Sequence, residues 1–566
     1  MTGQHTWHGY SSQCHTQASF DELAFLRLWH GWAADAARST HLHVVAHTAQ
    51  PVQVEALLAA AAGHAELLPL AQQLAAQCWG LLPGIHRLRF ALNSDAPHNT
   101  PPDRDTPERS ESWHSNTRLL LTLCVGSHAD WPEFADVLRA HASGPCAMPT
   151  DLAALHERTV TVIGAGIAGA GTARALAERG WQVTVLDAGA EPAAGASGLP
   201  VGVVAPHTSH DDSGVSRLSR AGLRCMEQTM RMLLTEGVDW GCTGVRERRL
   251  PGKTRRGGVP LSWLGTDANT ANDWTRKAPP PAPDDAYWHP RGAWLRPAQL
   301  VRALLDHPNI RWQGNAKVDA LKCITREAQL HHSAHHSEHH ATQNAHRQNT
   351  NASKWQVLQN GQVLTESSRV VLAAGPGSAA LIATATEDGS APRINPLRGQ
   401  VSWGLMADVP AGSPMPATPV NGNGSFVHNI TSPDGPAWYT GATYDRIHSD
   451  ARLLDGDHAE NLERLKALEP ETANVLGPLF ATVGTSDPRV HGWAGVRCGV
   501  HDRLPMTGRV PNAPEGLYMN AAMGSRGLTL GLLCGELLAA QWHGEPLPIE
   551  ARLAKFLEAT RFQPKA

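Results

Sequence analysis

The stretch Thr159–Asp187, TVTVIGAGIAGAGTARALAERGWQVTVLD, decides the fold of this chain. A β-branched run leads into Gly164, Gly166 and Gly169, and a helical pattern and a second β-branched run follow. Glycines at this spacing let the backbone approach a pyrophosphate, whose charge then faces the positive end of the helix. Asp187 ends the second strand, where a carboxylate can accept hydrogen bonds from ribose hydroxyls. The stretch predicts a Rossmann-like dinucleotide-binding unit.

Length, charge and cysteine content limit the class of protein. With 566 residues the chain is long enough for two or more domains, and its net charge of −4 favours no particular partner. No apolar run of about 18 residues occurs, and the first residues lack the pattern of a secretory signal. We therefore expect a cytoplasmic protein that does not enter a membrane. The nine cysteines show no CxxC spacing, which predicts neither a disulfide framework nor a metal site.

One stretch is clearly basic. Residues 216–258 hold ten lysines and arginines but only four acids. Such an excess fits an ordinary solvated face with a few anion contacts, and it also fits a surface that binds phosphodiesters. The sequence leaves both interpretations open.

Residues 1–150 are predicted to form a separate small α/β unit, because helical and strand-like segments alternate along them. We predict helices at residues 20–29 and twice within 52–78, and strands at 41–46, 87–90 and 119–125.

Three segments after the dinucleotide unit are predicted to approach the same ligand. Residues 195–202 are small and allow close backbone contact, and residues 369–377 read as a buried strand that runs into a glycine turn. A final helix at residues 528–542, predicted to be amphipathic, can direct its N-terminus at an anionic ring system. We also predict helices from Pro297 to Leu305 and from Asn461 to Leu479.

A histidine-rich segment at residues 331–352 interrupts the second half of the chain. Metal capture is conceivable there, but the low complexity fixes no coordination geometry. We predict a disordered insertion in a hairpin.

Several motifs in this order resemble the D-amino-acid oxidase and glycine oxidase superfamily of FAD enzymes. They are the glycine fingerprint, GASG at 195–198, VVLAAGPGS at 370–378, LRGQ at 397–400, GVRCGVHDRLPMTG at 495–508 and AAMGSRGLTLGLLCGELLAAQ at 521–541. Within the superfamily, the segments GASGLPVGVVAPHTSHDDSGVSRLSRAG, WLRPAQL and MGSRGL are most similar to the FAD-dependent half of the bifunctional tRNA 5-methylaminomethyl-2-thiouridine biosynthesis proteins. The resemblance covers roughly residues 157–550.

The resemblance implies the domain organisation. We expect an α/β chain (α+β overall) in which residues 157–550 combine a Rossmann-like FAD-binding domain with a β-rich substrate domain of the D-amino-acid oxidase type. The FAD-binding parts would lie at 157–235, 292–380 and 485–550, and the substrate parts at 236–291 and 381–484.

The N-terminal region resembles a shortened methyltransferase half of the same family. The family's glycine-rich S-adenosylmethionine loop would lie where this chain has His15–Phe20, and the family's later Asp-Gly-Phe-Ala-Pro run is missing. Backbone cannot approach that cofactor without the glycines. We expect an inactive region that supports folding or docking, and a separate methyltransferase that acts on the product.

The resemblance also implies a reaction. The family's FAD half removes the carboxymethyl group from 5-carboxymethylaminomethyl uridine, with or without 2-thiolation, at the wobble position of tRNA. The products would be a 5-aminomethyl uridine and glyoxylate. The alternative is an amine oxidase of small molecules such as glycine, sarcosine or a D-amino acid.

The site residues follow from the same motifs. Arg497 and Arg526 match arginines that face the substrate carboxylate, and each could instead pair with a core acid or bind a carbonyl. Phe426 stands near the place where relatives present a polar aromatic residue. The expected FAD contacts are Gly164, Gly166, Ile167, Ala168, Gly169, Asp187, Ala196, Ser197, Gly198, Val318, Ala374, Gly375, Gly524, Gly527 and Leu528.

Two neighbours of Arg497 suggest other chemistry. Asp502, with His501, could exchange protons, but an acid in this turn more often stabilises the turn. Cys498 is expected to be a small buried side chain. The sequence offers no evident general base.

Overall fold

The computed structural model describes residues 11–91, 117–127, 137, 144–146, 158–249, 273–279, 283, 286–324 and 354–562. The histidine-rich segment 331–352 lies outside these residues. The strands are β1 Ser12–Gln17, β2 His41–Thr48, β3 Gly84–Ala91, β4 Arg118–Val125, β5 Gly144–Pro145, β6 Thr159–Ile163, β7 Gln182–Leu186, β8 Gly202–Val204, β9 Trp240–Gly241, β10 Val245–Arg248, β11 Arg276–Lys277, β12 Ala286–His289, β13 Ala293–Leu295, β14 Ile310–Gln313, β15 Ala320–Ile324, β16 Lys354–Gln359, β17 Gln362–Ser367, β18 Arg369–Leu372, β19 Asn395–Leu405, β20 Val420–Gly422, β21 Gly424–Ser432, β22 Gly435–Gly441, β23 His491–Gly499, β24 Met506–Arg509 and β25 Leu517–Ala521. The α-helices are α1 Glu22–Ala34, α2 Val54–Ala61, α3 Leu68–Ala75, α4 Ile167–Ala177, α5 Gly214–Leu233, α6 Pro297–Leu305, α7 Ser378–Ala385, α8 Asp455–Leu468, α9 Pro470–Phe480, α10 Gly527–His543 and α11 Ala551–Lys555.

The N-terminal region is the small α/β unit that the sequence predicts. Its sheet has the order β3-β4-β2-β1-β5, with β1, β2 and β4 parallel and β3 antiparallel at one edge. Phe25, Trp29 and Phe90 pack beneath it and are at most 3 % exposed. Asp21 caps α1 by accepting the Ala24 N–H at 2.8 Å, so a polar cap occupies the connection after β1.

The dinucleotide unit has the predicted form. Strands β6 and β7 pair in parallel, Val160 opposite Val183, at the centre of a sheet with the order β14-β7-β6-β18-β25-β24. Strand β18, which the sequence predicts to be buried, lies on the other side of β6. The carboxyl ends of β6, β7 and β18 meet at one edge, which is where open parallel sheets bind ligands.

The second large sheet has the order β11-β12-β10-β20-β21-β22-β19-β23 and supplies the β-rich part. Strand β23 pairs antiparallel with β19 along its whole length, Arg497 opposite Leu397. Residues 491–499, which fall in the FAD-binding part expected from residue 485 on, therefore pair with the strands of this sheet. Among the described residues, no helix is both long and apolar enough to cross a bilayer.

Two helices differ from their predictions. The segment expected as one helix at 461–479 is two helices, α8 and α9, because Pro470 cannot continue the first and begins the second. The last helix, α10, is buried on most sides and is not amphipathic, since it packs against both α4 and α5. A central helix between two layers needs apolar residues all around.

A buried charge network joins the N-terminal region to the dinucleotide unit. Glu178, at the end of α4, pairs with Arg118 and Arg174 at 2.6 Å each and with Arg89 at 3.3 Å. Arg89 also contacts Glu536 of α10 at 3.2 Å. These side chains are at most 13 % exposed, so the two regions share one desolvated polar core.

The basic stretch is largely neutralised inside the protein. Arg217 pairs with Glu550, Arg220 with Asp212, Arg231 with Glu227, Arg246 with Glu469 and Arg249 with Glu247, at 2.6–3.3 Å. For these residues the interpretation as a phosphodiester-binding surface loses its support. Lys253, Arg255 and Arg256 lie outside the described residues.

Candidate active site

The glycine turn after β6 is closed by its neighbours so tightly that a side chain would not fit. Gly164 has φ +112°, and a Cβ built on it would lie 2.3 Å from the Ala373 carbonyl oxygen. A Cβ on Gly169 would lie 1.8 Å from the Gly164 carbonyl oxygen. The two glycines therefore bring the β6 turn, the β18 turn and α4 into backbone contact.

Replacing Gly164 with alanine should yield protein that folds but retains little FAD, because the added methyl forces the β6 and β18 turns apart. Flavin absorbance per mole of purified protein measures this. Gly389→Ala is the matched control, since Gly389 also has a positive φ of 68° but has open space around its Cβ position. Equal flavin content in the two variants would contradict the predicted role of Gly164.

Asp187 holds the turn and lies beside its opening. Its Oδ2 accepts the Ala165 N–H at 2.6 Å, and its Oδ1 accepts the Gly189 N–H at 2.7 Å. A carboxylate oxygen has two acceptor positions, so each oxygen retains one for a ribose hydroxyl. Asp187 is half-buried, which leaves that side accessible.

The turn at residues 196–198 covers the N-terminus of α4. The Ser197 hydroxyl accepts the Ile167 N–H at 2.9 Å, and Gly166 leaves space for this contact, since its Cβ would lie 3.2 Å from the same oxygen. Trp493 of β23 packs against Gly198 on the other side. The GASG segment therefore links the helix to the β-rich sheet.

The remaining predicted FAD contacts converge on the same edge. Ala374 and Gly375 follow β18, and Gly375 has φ +56° with open space at its Cβ position. Gly524 and Gly527 flank the start of α10, where Gly527 lies against Ile167. The other members of the predicted set that line this edge are Ala168, Ala196, Leu528 and Val318, with Val318 packed beside the end of β7.

The N-termini of α4 and α10 meet at this edge. Neither helix has an acid in its first turn, and a Cβ built on Gly531 of α10 would lie 3.7 Å from the Ala168 Cα of α4. Two positive helix ends without an acidic neighbour suit an anionic ligand. Together with the glycine turns and Asp187, they fit FAD, whose pyrophosphate the N-terminus of α4 would hold.

The segments that carry Arg497 and Arg526 are tied together beside this edge. The Gly524 N–H donates to the Cys498 carbonyl at 2.7 Å, which fixes the start of α10 to the end of β23. Arg497 donates to the Thr443 carbonyl at 3.2 Å, and Arg526 to the Arg503 carbonyl at 3.0 Å. Within the described residues neither guanidinium has a carboxylate partner, so both keep donors for an anion.

Tyr444 is a site residue that the sequence analysis missed. Its ring centroid lies 5.0 Å from the Arg497 Cζ, and its phenol also interacts electrostatically with Arg526. Burial lowers the pKa of both arginines, while the phenol opposes that shift. Tyr444 follows β22 in a segment without a motif, and only the pairing of distant strands brings it to Arg497.

Phe426, expected near the place where relatives present a polar aromatic residue, is fully buried in the core of the β-rich part, with Trp438 and Leu465. Asp502 stabilises its turn as expected, since it accepts the Leu504 N–H at 2.9 Å and pairs with Arg561 at 2.8 Å. Cys498 is buried at 6 % exposure.

His41, His43 and Glu545 form a buried group whose ligand atoms lie within 4.8 Å of one another, in principle enough for a metal ion. Burial lowers the pKa of both imidazoles, so they are neutral. Glu545, however, pairs with Arg179 at 2.8 Å, and further arginines surround the group. This positive field opposes a cation.

The glycine turns and the sheet order are those of an oxidoreductase that binds a flavin dinucleotide. The model of the family described as FAD dependent oxidoreductase (DAO) matches residues 159–541. Among solved structures, L-proline dehydrogenase from P. horikoshii has a TM-score of 0.51 at 15 % identity and covers 72 % of this chain and 98 % of its own. Glycine oxidase from Geobacillus kaustophilus has a TM-score of 0.50 at 18 % identity and covers 72 % and 100 %. At such identities the two structures support the fold alone.

Curated relatives extend over nearly the whole chain. The tRNA 5-methylaminomethyl-2-thiouridine biosynthesis bifunctional protein MnmC of Paracidovorax citrulli is 39 % identical over 95 % of this chain and 90 % of its own. The protein of the same description from Polaromonas naphthalenivorans is 37 % identical over 99 % and 92 %. The chain belongs to the FAD dependent oxidoreductase family and, within it, to the family of the tRNA 5-methylaminomethyl-2-thiouridine biosynthesis bifunctional proteins.

Proposed function

We propose that this protein removes the carboxymethyl group from 5-carboxymethylaminomethyl uridine, with or without 2-thiolation, at the wobble position of tRNA. The products are a 5-aminomethyl uridine and glyoxylate. The relatives' description names the tRNA modification. The observation that carries the proposal is the pair Arg497 and Arg526, half-buried beside the FAD edge without carboxylate partners among the described residues.

The two arginines suit the part of the substrate that must be held. The carboxymethylamino group is an N-alkylated glycine, and its carboxylate can accept hydrogen bonds from both guanidinium groups. Charge-assisted bonds of this kind contribute roughly 1.5–3 kcal/mol each. The Tyr444 phenol lies beside Arg497 and can donate a further hydrogen bond.

Held in this way, the CH₂ between nitrogen and carboxylate is the position to be oxidised. Bound FAD supplies the electron acceptor for the hydride that leaves this carbon. The substrate becomes an imine, and water cleaves the imine to the primary amine and glyoxylate. The described side chains near Tyr444 hold the substrate in position and supply positive charge, and the amine proton passes to water.

The N-terminal region acts in this proposal as structural support without methyl transfer, and a separate methyltransferase completes the side chain of the base. Its charge network with Glu178 and its fully buried aromatic core support a structural role. The Asp21 cap directly follows His15–Phe20, where a cofactor-binding loop would need glycines.

The proposal is tested on tRNA that carries the carboxymethylaminomethyl nucleoside. Incubation with the FAD-loaded protein should convert this nucleoside to the aminomethyl form with stoichiometric glyoxylate, measured by nucleoside mass spectrometry. Glycine and sarcosine are assayed in parallel. Rapid oxidation of either compound with unchanged tRNA would replace the proposal with the alternative of a small-molecule amine oxidase.

Arg497→Met should lower kcat/KM for tRNA by roughly 10- to 100-fold, because one charge-assisted contact to the carboxylate is lost. Arg497→Lys should restore only part of the rate, since lysine keeps the charge but not the planar fork. Flavin content should stay at the wild-type level in both variants. A methionine variant with wild-type kinetics would remove Arg497 from the site.

A further inference from the structure

A cavity lies between the N-terminal region and the FAD-binding part, with β3 on one side and α5 on the other. Its volume is about 40 Å³, room for about three waters or one small oxyanion. The charged side chains that line it are Arg87, Arg89, Arg217, Arg220, Arg224, Glu536 and Glu550.

Some of these arginines have acidic partners and two do not. Arg89, Arg217 and Arg220 pair with carboxylates at 2.6–3.3 Å. Among the described residues, no carboxylate lies within ion-pair distance of Arg87 or Arg224. Arg87 donates to the Pro546 carbonyl. Arg224 donates to the Gln77 carbonyl at 2.9 Å and to the Trp79 carbonyl, and it stacks on the Trp79 ring at 4.1 Å.

Arg87 and Arg224 are therefore cations whose acidic neighbours, Glu536 and Glu545 for the first and Glu227 and Asp273 for the second, lie beyond ion-pair distance. Arg224 is 3 % exposed, and the Nε of each guanidinium is buried without a hydrogen-bond partner. Burial lowers the pKa of both to about 10. Charges in protein interiors are normally paired, because an unpaired one costs several kcal/mol.

We propose that this cavity binds a small oxyanion, as free phosphate or as the phosphate of a larger ligand. The anion contacts Arg87 of the N-terminal region and Arg224 of the FAD-binding part, and so it links the two regions. A tetrahedral oxyanion can accept hydrogen bonds from both guanidinium groups at once, whereas a carbonyl satisfies only one donor. Neither FAD binding nor substrate oxidation enters this assignment.

Thermal unfolding of the full FAD-loaded chain tests the cavity. Inorganic phosphate should raise Tm in a saturable way relative to chloride at equal ionic strength, as expected for a ligand of the native state. Arg87→Gln and Arg224→Gln should abolish the increase. Arg489→Gln, which changes an exposed arginine paired with Asp408 and Asp487, should leave it intact.

Two further measurements keep the site testable if the variants unfold. Isothermal titration of the wild-type protein with phosphate should show one site, and a short oligonucleotide should displace the phosphate only if the natural ligand is a larger phosphate compound. No binding in the titration would overturn the proposal, as would equal phosphate stabilisation of the wild-type and Arg87→Gln proteins.

A second feature, at the entrance of the active site, supports an inference that is separate from the cavity. This inference rests on the proposed function. Tyr444 is 43 % exposed and Ile447 is 88 % exposed, and the Arg446 Cζ lies 5.9 Å from the Tyr444 ring centroid. Arg503, also exposed, interacts electrostatically with Arg526. We call Tyr444, Arg446, Ile447 and Arg503 the rim.

The rim has the chemistry of a surface for single-stranded RNA. Within the described residues neither Arg446 nor Arg503 has an acidic partner, in contrast to the paired arginines of the basic stretch. Unstacked bases bind to exposed aromatic rings and arginine planes, and the backbone phosphates bind to unpaired arginines.

We infer that the rim contacts the anticodon loop, with one base against Tyr444 and phosphates at Arg446 and Arg503. Arg446→Gln and Arg503→Gln should each raise KM for tRNA several-fold with little change in kcat. Each should also reduce the salt slope of log KM by about 1, as expected when one phosphate contact is lost. Arg489→Gln again serves as the paired control.

A small N-alkylated glycine that lacks a nucleotide separates this inference from the proposed function. If the wild-type protein oxidises neither that compound nor tRNA, the proposed function fails. If it oxidises tRNA and the rim variants show the salt slope and KM of the wild type, the rim assignment fails alone. Tighter binding of an acidic peptide than of RNA to the wild-type protein would also overturn it.

Discussion

Replacing Glu178 with glutamine should lower the free energy of unfolding by about 3–5 kcal/mol, the usual cost of removing one partner from a buried ion network. Glu178 is 1 % exposed and is the shared partner of Arg118, Arg174 and Arg89. These arginines hold its carboxyl pKa far below the ordinary value, although burial alone would raise it. With a neutral amide in place of the carboxylate, the three desolvated arginines lose one negatively charged partner.

Urea unfolding of the FAD-loaded protein measures the effect, monitored by tryptophan fluorescence and by flavin release. Glu463→Gln is the matched control, because Glu463 pairs with Lys466 at 2.6 Å but is 70 % exposed. Its loss should cost less than about 1 kcal/mol. If both variants unfold at the same urea concentration, the network does not stabilise the contact between the N-terminal region and the dinucleotide unit.

The dinucleotide unit could be predicted from the sequence because local chemistry determines it. The glycine spacing, the β-branched runs and the position of Asp187 each constrain the backbone within a few residues, and β6, α4 and β7 follow closely. The last helix was predicted in the right place but with the wrong environment. Its neighbours α4 and α5 come from segments more than 290 residues earlier in the chain, and no local pattern reports them.

The active site also combines residues that the sequence predicts with one that it does not. Arg497 and Arg526 lie in glycine-rich motifs and could be proposed from the sequence, whereas Tyr444 lies in no motif. Its place beside Arg497 depends on the pairing of β22 with β19 and of β19 with β23. The burial of Phe426 could not be foreseen either, because a sequence shows which residues of a strand share a face but not which face is buried.

The basic stretch shows that electrostatics, too, can be predicted only in part from the sequence. A count of arginines along the chain measures excess charge, but the partners Glu550, Asp212 and Glu469 lie far away in sequence. The unpaired arginines near the active site, Arg446 and Arg503, lie outside the basic stretch. Whether a cation is available to a ligand is therefore a property of the fold.

Acidification below pH 6.5 should destabilise the protein steeply, because several buried histidines are neutral in the fold. Burial lowers the pKa of His86 and of His543 from 6.5 to about 3, and it also lowers the pKa of His41 and His43. Between the folded and unfolded pKa values the unfolded chain binds more protons, so stability is fully present above pH 6.5 and falls with pH. By pH 5 the loss should be about 2 kcal/mol for each of His86 and His543.

Urea titrations between pH 8 and pH 5, with flavin content recorded at each pH, measure this dependence. The pKa values of Glu545 and Glu178 are also lowered in the fold. These two groups therefore reduce the free energy of unfolding only below about pH 4.5, the ordinary glutamate value. His543→Gln isolates one histidine: the His543 Nε2 accepts the Trp181 N–H at 2.9 Å, and the amide oxygen can replace that acceptor without titrating. Between pH 6 and pH 5, the stability of this variant should fall by about 1.4 kcal/mol per pH unit less than that of the wild type. Parallel curves for the wild type and His543→Gln would show that His543 is not held neutral in the fold.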